Sequence, residues 1–245
     1  MDVPATDRAA ALAAYHDAQV VNCERCPLHA TRTQVVLGSG DPNAAVMFVG
    51  EAPGYHEDRL GVPFVGQAGK LLDRLLEGIG MTRDDVFVAN VLKCRPPENR
   101  DPLPAEVAAC QDHLFRQVAI IRPKLICTLG NFSTKLLSGR PDGISRVHGC
   151  ELEVMLGQTP TLLYPLYHPA AALYMPAMRS VLEEDFARIP GLIAAAGAPG
   201  VGAHDAPAPA SGDAPESGSV SDVAATAAAD GARGGPDPAE QLGLF

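Results

Sequence analysis

The stretch AVMFVGEAPG, residues 45–54, decides the fold. Ala45 to Gly50 is a short apolar run without helical periodicity, the pattern of a fully buried strand. It passes directly into Gly50, Glu51, Ala52, Pro53 and Gly54, where glycine and proline end regular structure. Similar short runs recur at Val86–Val91, Leu125–Leu129 and Leu162–Leu166. Helical patterns separate them. Thr6 to Val20 reads as a helix with Thr6 or Asp7 as N-cap. Gln67 to Ile79 puts Leu71, Leu72, Leu75, Leu76 and Ile79 on one face, with Gly80 at the C-cap. Pro104 opens a helix that runs to about Ile121, since proline is accepted in a first turn. Further helices follow Leu129, through Leu137, and span Ala177–Arg188. Strands alternating with helices predict an α/β fold, three layers α/β/α with a mainly parallel central sheet. In such sheets ligands sit beyond the carboxyl ends of the strands.

The chain has 245 residues and a formal charge of −10. Composition changes near Pro190: beyond it lie Ala, Gly, Pro, Ser and Asp, with no aromatic between Phe186 and Phe245. Residues 1–190 therefore read as one catalytic-size domain and 191–240 as a disordered linker, too poor in apolar surface to offset its ordering entropy. The linker is acidic, which leaves 18 bases and 22 acids in residues 1–190, or −4. A basic patch must then be local, and Lys93, Arg95 and Arg100 supply one. No run of about 18 apolar residues is present, so no membrane span is expected. The first residues have no secretory pattern, so a cytoplasmic protein is expected, and its six cysteines read as metal ligands or core residues rather than disulfides.

The chemistry falls where the fold demands it. Glu51 follows the first strand, Asn90 ends the second, and His168 follows the fourth. Singly, each has an ordinary reading as a turn cap, a satisfied loop amide or a surface histidine. Jointly, they bring a carboxylate, a carboxamide and an imidazole to one crevice. The cysteines form a second constellation. Cys23 and Cys26 make a C-x-x-C pair, while Cys94 follows a strand and Cys110 lies in the next helix. Four thiolates in two pairs suit a zinc ion or a [4Fe–4S] cluster, and spacing does not separate the two. Cys127, within an apolar strand, and Cys150 read as packing residues.

GEAPG at 50–54, PFVGQAG at 63–69, VANVLKCRPPENR at 88–100 and YHPAAAL at 167–173 closely resemble the family 4 uracil-DNA glycosylases, as does the four-cysteine pattern. The resemblance covers about residues 15–189 in order. It implies the three-layer glycosylase fold, removal of uracil from DNA in base excision repair, and a structural [4Fe–4S] cluster on Cys23, Cys26, Cys94 and Cys110. It also implies roles. Phe64 matches the aromatic that stacks on the flipped uracil, and Asn90 the amide that reads its edge, because a carboxamide both donates and accepts. His168 matches the group that stabilises negative charge on O2 of the leaving base. Glu51 falls in the water-activating loop, and Glu57 lines the side where the methyl of thymine must be refused. An abasic site without a lyase step is expected, since Lys93 is the one lysine beside the motifs.

Two departures qualify the resemblance. The wedge leucine of classical uracil glycosylases lies four residues after the histidine. Here position 172 is alanine, and Leu173 or Tyr174 would fill the gap in the duplex. The cross-linking branch carries GEQPG and a histidine-bearing insertion; Ala52 and ENRDP at 98–102 favour a catalytic enzyme over a cross-linking or non-catalytic lesion binder. Finally, Gln241, Leu242, Gly243, Leu244 and Phe245 resemble the pentapeptide that docks bacterial repair proteins on the DNA sliding clamp. Two leucines and a phenylalanine would fill an apolar pocket, with glutamine at the rim. The expected partners are thus uracil-containing DNA and the clamp, with a monomeric, nucleoid-associated protein.

Overall fold

A computed structural model describes residues 4–173 and 175–196. Six strands form one sheet: β1 (Ser39–Gly40), β2 (Val46–Gly50), β3 (Phe87–Asn90), β4 (Leu125–Leu129), β5 (Leu152–Leu156) and β6 (Thr159–Leu166). Their order is β1-β3-β2-β4-β6-β5. The four central strands are parallel, as the alternation of strands and helices predicts, and β1 and β5 add antiparallel edges. The edge strands were not among the expected ones. β1 has only two residues, and β5 alternates half-buried Leu152 and Val154 with exposed Glu153 and Met155, a one-sided pattern rather than an apolar run.

The helices are α1 (Arg8–Tyr15), α2 (Tyr55–Leu60), α3 (Gln67–Gly78), α4 (Pro104–Ile121), α5 (Asn131–Ser138), α6 (Ile144–Val147), α7 (Pro169–Ala172) and α8 (Pro176–Ala195). Strand side chains alternate between the two faces, and the core divides accordingly. Met47, Val49, Phe87, Ala89 and Ile126 meet Leu12 of α1, Leu114 and Val118 of α4 and Leu137 of α5. Val46, Phe48, Val88, Leu125 and Cys127 meet Leu71, Leu72, Leu75 and Leu76 of α3 and Leu182, Phe186 and Ile189 of α8. Two apolar layers on one sheet make the three-layer architecture. The leucine face of α3 is the one its spacing predicts.

Three expectations change in detail. The first helix is regular α only over Arg8–Tyr15, and His16–Val20 continues it as a wider π turn. The last helix runs through Pro190 to Ala195, with Leu192 still packed on the core, so the folded body extends past the boundary set at 190. Cys127 is fully buried as expected, but Cys150 is exposed: it sits between the α6 turn and the outermost strand, away from either apolar layer.

Candidate active site

The parallel register fixes the heart of the site. Gly50 and Asn90 are paired neighbours at the ends of β2 and β3. The pairing continues beyond both strands, with Val91 N donating to Gly50 O at 3.0 Å and Leu92 N to Glu51 O at 3.0 Å. Glu51 and Asn90 therefore leave the sheet side by side. On the far side, Gly130 after β4 has φ +93°, and a Cβ there would lie 3.1 Å from the Cβ of His168. Glycine at 130 lets the histidine come in close over the strand ends.

A cavity of about 150 Å³ opens at this point, and Glu51, Glu57, Phe64, Asn90 and His168 all line it. The structure thus brings together all five residues picked for catalysis and base recognition. Ala52, Pro53, Gly54, Ala68, Pro96, Asn99, Arg100, Asp101 and Ala170 complete the wall. Asn90 is 2% exposed, and no group among the described residues hydrogen-bonds its side chain. Its amide opens onto the cavity, where solvent or a ligand can answer its donor and acceptor. A side chain at position 50 would meet Asn90 Oδ1 at 2.5 Å and the Phe64 ring at 2.7 Å; glycine there keeps the floor open.

Phe64 is held in a conformation that a bulky residue seldom adopts, φ 55°. Such strain costs on the order of 1–3 kcal/mol and persists only when neighbours impose it. Arg83 Nη2 donates to the Phe64 carbonyl at 2.9 Å, and Arg83 is itself tied to Asp73. Glu57 Oε1 accepts from the next two backbone N–H groups, Val65 at 3.0 Å and Gly66 at 3.1 Å. These clamps set the ring 5.6 Å from the His168 imidazole at an interplanar angle of 29°. Glu57 lines the cavity, yet one of its oxygens is committed to bracing the Phe64 loop.

Electrostatics separate the two ionisable groups. Burial pushes the Glu51 carboxyl up to about 7, helped by the negative charge of Asp101. Burial pushes His168 down to about 4, against the pull of Glu57. His168 is thus neutral at pH 7. Its Nδ1 accepts from Ala170 N at 3.1 Å, at the start of α7, so the ring proton resides on Nε2. A neutral Nε2–H donor and an ionisable carboxylate face the same space.

The four cysteines come from the N-terminal segment, the exit of β3 and α4. Cys94 and Cys110 are buried, Cys23 and Cys26 half-buried. Arg32 Nη1 donates to Cys94 Sγ at 3.4 Å, Lys93 N to Cys110 Sγ at 3.3 Å, and His113 Nε2 lies 3.4 Å from Cys23 Sγ. Burial raises the Cys110 thiol to about 11, against the nearby Lys93 charge, while Cys94 and Cys26 add to the rise. Burial raises Cys94 as well, where Arg32 opposes it and Cys26 and Cys23 reinforce it. Among the described residues, no three His, Cys, Asp or Glu side chains converge into a finished metal-binding set. Four thiols, with N–H groups donating to the sulfurs of Cys94 and Cys110, are nonetheless a donor set whose chemistry suits iron and sulfide.

The predicted basic patch is corrected. Lys93 is 1% exposed, donating through Nζ to Asn90 O at 2.7 Å and Gln117 Oε1 at 2.6 Å. Arg100 is bidentate with buried Glu106. Lys93 is spent inside the fold and half-exposed Arg100 on an ion pair with a buried carboxylate, which their spacing did not reveal. Sequence reading also missed Arg83, Asp101 and Gln117, isolated polar residues that resemble surface. Of the proposed wedge residues, Leu173 is 36% exposed beside α7, and Tyr174 lies outside the described residues. So do Gln241, Leu242, Leu244 and Phe245.

Comparison with known proteins agrees with this geometry. Residues 37–188 match the uracil DNA glycosylase superfamily. The type-4 uracil-DNA glycosylase of Sulfurisphaera tokodaii is 48% identical over 70% of this chain and 80% of its own. That of Archaeoglobus fulgidus is 47% identical over 70% and 88%, and that of Thermotoga maritima 40% identical over 71% and 91%. None of the described helices is long and apolar enough to cross a membrane. With its parallel sheet, its strand-end cavity and these relatives, the chain belongs to the type-4 uracil-DNA glycosylases.

Proposed function

We propose that this protein hydrolyses the N-glycosidic bond of uracil in DNA, releases the free base and leaves an abasic site for base excision repair. The observation that carries the reading is Asn90: a carboxamide that is 2% exposed, has no hydrogen-bond partner for its side chain among the described residues and faces a cavity at the sheet's ligand-binding end. Uracil offers along one edge an acceptor, O4, and a donor, N3–H, and an amide answers both. The base must leave the duplex to reach it. Phe64 would stack on the flipped ring.

The N1–C1′ bond breaks with its electron pair going to the base. Negative charge collects on O2, where His168 Nε2–H donates without giving up its proton. One preorganised donor of this kind is worth roughly 2.7–4 kcal/mol. Glu51, as carboxylate, orients water and balances positive charge on the sugar. Water adds to C1′, and the proton it loses passes to Glu51 and then to solvent or the uracil anion. Glu57 serves this chemistry by holding the loop that carries Phe64, at the wall where a thymine methyl would press.

Cys23, Cys26, Cys94 and Cys110 would hold the [4Fe–4S] cluster. When bound, it supplies a covalent cross-link between the N-terminal segment, the exit of β3 and α4. The C-terminal five residues would dock on the DNA sliding clamp, and the preceding segment would tether the catalytic body, acting as a monomer near the nucleoid. The test is a gel: an oligonucleotide with one uracil, treated with the full-length iron-loaded protein and then alkali, should break at that position. An intact strand would refute the reading.

A further inference from the structure

The mouth of the cavity carries one feature that base excision itself does not use. Tyr55 opens α2 directly after Gly54, which lines the cavity, and it is 48% exposed. Two guanidiniums attend its ring: Arg95 at 5.2 Å from the centroid and Arg59 at 5.6 Å. Arg59 Nη1 also donates to the Tyr55 hydroxyl at 3.0 Å. Arg95 precedes Pro96, another cavity-lining residue, and spends only Nε, on Asn99 Oδ1 at 2.7 Å. Among the described residues its Nη groups have no hydrogen-bond partner. With Lys93 buried and Arg100 paired with Glu106, Arg59 and Arg95 are guanidiniums beside Tyr55 without an ion pair among the described residues, in a chain that is acidic overall.

We propose that Tyr55 is a stacking platform for the nucleotide next to the extruded uracil, with Arg95 and Arg59 holding the adjoining phosphate. The inference rests on the cavity's taking uracil. An aromatic ring accepts the face of any base, and guanidinium beside it answers the phosphate, a pairing suited to an unstacked strand. A neighbour of an extruded base has lost one stacking partner, and Tyr55 would replace it at the point where the strand leaves the cavity. Arg59 and Arg95 orient the ring beforehand, so little is lost in ordering it.

The experiment uses the full-length iron-loaded protein and single-stranded oligonucleotides carrying 2′-fluoro-2′-deoxyuridine, whose fluorine disfavours the sugar cation and so prevents turnover. Binding is read by fluorescence anisotropy with each flanking base either present or replaced by an abasic spacer. Tyr55→Ala should weaken binding of the fully base-bearing strand by roughly 5- to 150-fold. Tyr55→Phe should restore it. Replacing one flanking base with a spacer should abolish the difference between Tyr55→Ala and wild type, and that side identifies the stacked neighbour. Arg95→Gln should reduce the salt dependence of binding with either strand. An equal loss on spacer and base-bearing strands would mean that Tyr55 only braces its loop, and no loss would equally overturn the proposal. Because binding is read without turnover, these outcomes stand apart from the excision assay that tests the cavity.

Discussion

Asn90 and Cys94 lie within one short segment, yet the two regions they serve are built on opposite rules. In the pocket, the Asn90 amide has no partner among the described residues, a carboxyl is pushed up and an imidazole is pushed down. At the cysteine corner, the sulfurs of Cys94 and Cys110 already meet N–H donors, and the surrounding polar groups bond one another: Tyr15 hydroxyl with His113 Nδ1 at 2.8 Å, Gln117 Nε2 with His16 Nε2 at 2.8 Å. Unmet polar demand marks the place where a ligand comes and goes. Polar groups that bond one another mark a place meant to stay put. Glu51 and Glu106 repeat the contrast between carboxylates: burial raises the first, whereas Arg100 and Leu103 N hold the second low.

The largest expected effect is at the cysteine corner. Cys94→Ala or Cys110→Ala should yield colourless, poorly folding protein with little iron and sulfide, whereas Cys127→Ala and Cys150→Ala should keep both. A full iron count in Cys110→Ala would break the ligand set.

Lys93 is the joint between the regions, since its backbone N–H meets Cys110 Sγ and its ammonium meets the carbonyl of Asn90. Lys93→Met would leave that carbonyl and Gln117 Oε1 unanswered, at about 1–3 kcal/mol for each buried group. Thermal denaturation should show a clearly lowered midpoint, and single-turnover excision should slow in protein that retains iron. If stability and rate were both unchanged, the two regions would be independent.

Glu51 gives the smallest effect and the most particular one. Its folded value of about 7 stands above the ordinary carboxyl value of 4.5, so folding favours the neutral form. That contribution is full below pH 4.5 and is lost as pH rises through about 7. Glu51→Gln should therefore raise the melting midpoint by about a few degrees at pH 8 and leave it unchanged at pH 4. Excision by wild type should rise as Glu51 ionises through pH 7, with His168 neutral throughout that range, and the variant should be slow and lose that rise. A midpoint that falls at pH 8 would show that the carboxylate is stabilising, contrary to its surroundings.

Most of this layout is legible in the sequence, for a reason that also sets the limit. Central strands are buried on both faces and announce themselves as apolar runs, and the residues just after them occupy the ligand end whatever the side-chain detail. Glu51, Asn90 and His168 could be found on that rule. The edge strand at 152–156 meets solvent on one side, so its signal is only a weak alternation. Polar partnerships across the fold leave no local trace at all. Lys93 and Gln117, and Arg83 with the Phe64 carbonyl, are far apart in the chain, and a buried lysine looks in sequence like a surface one. The φ of Phe64 is equally silent, although the need for glycine at 69, where a Cβ would fall 1.7 Å from the Phe64 carbonyl, is its indirect sign.

The central claim is that the Asn90 amide and the His168 imidazole act on a flipped uracil. Single-turnover release of uracil from DNA, measured by chromatography with iron-replete wild type, Asn90→Ala and His168→Ala, tests it most directly. Both variants should fold, keep their colour and release uracil slower by roughly 10²–10³-fold or more. Release at near wild-type rates by either variant would contradict the account.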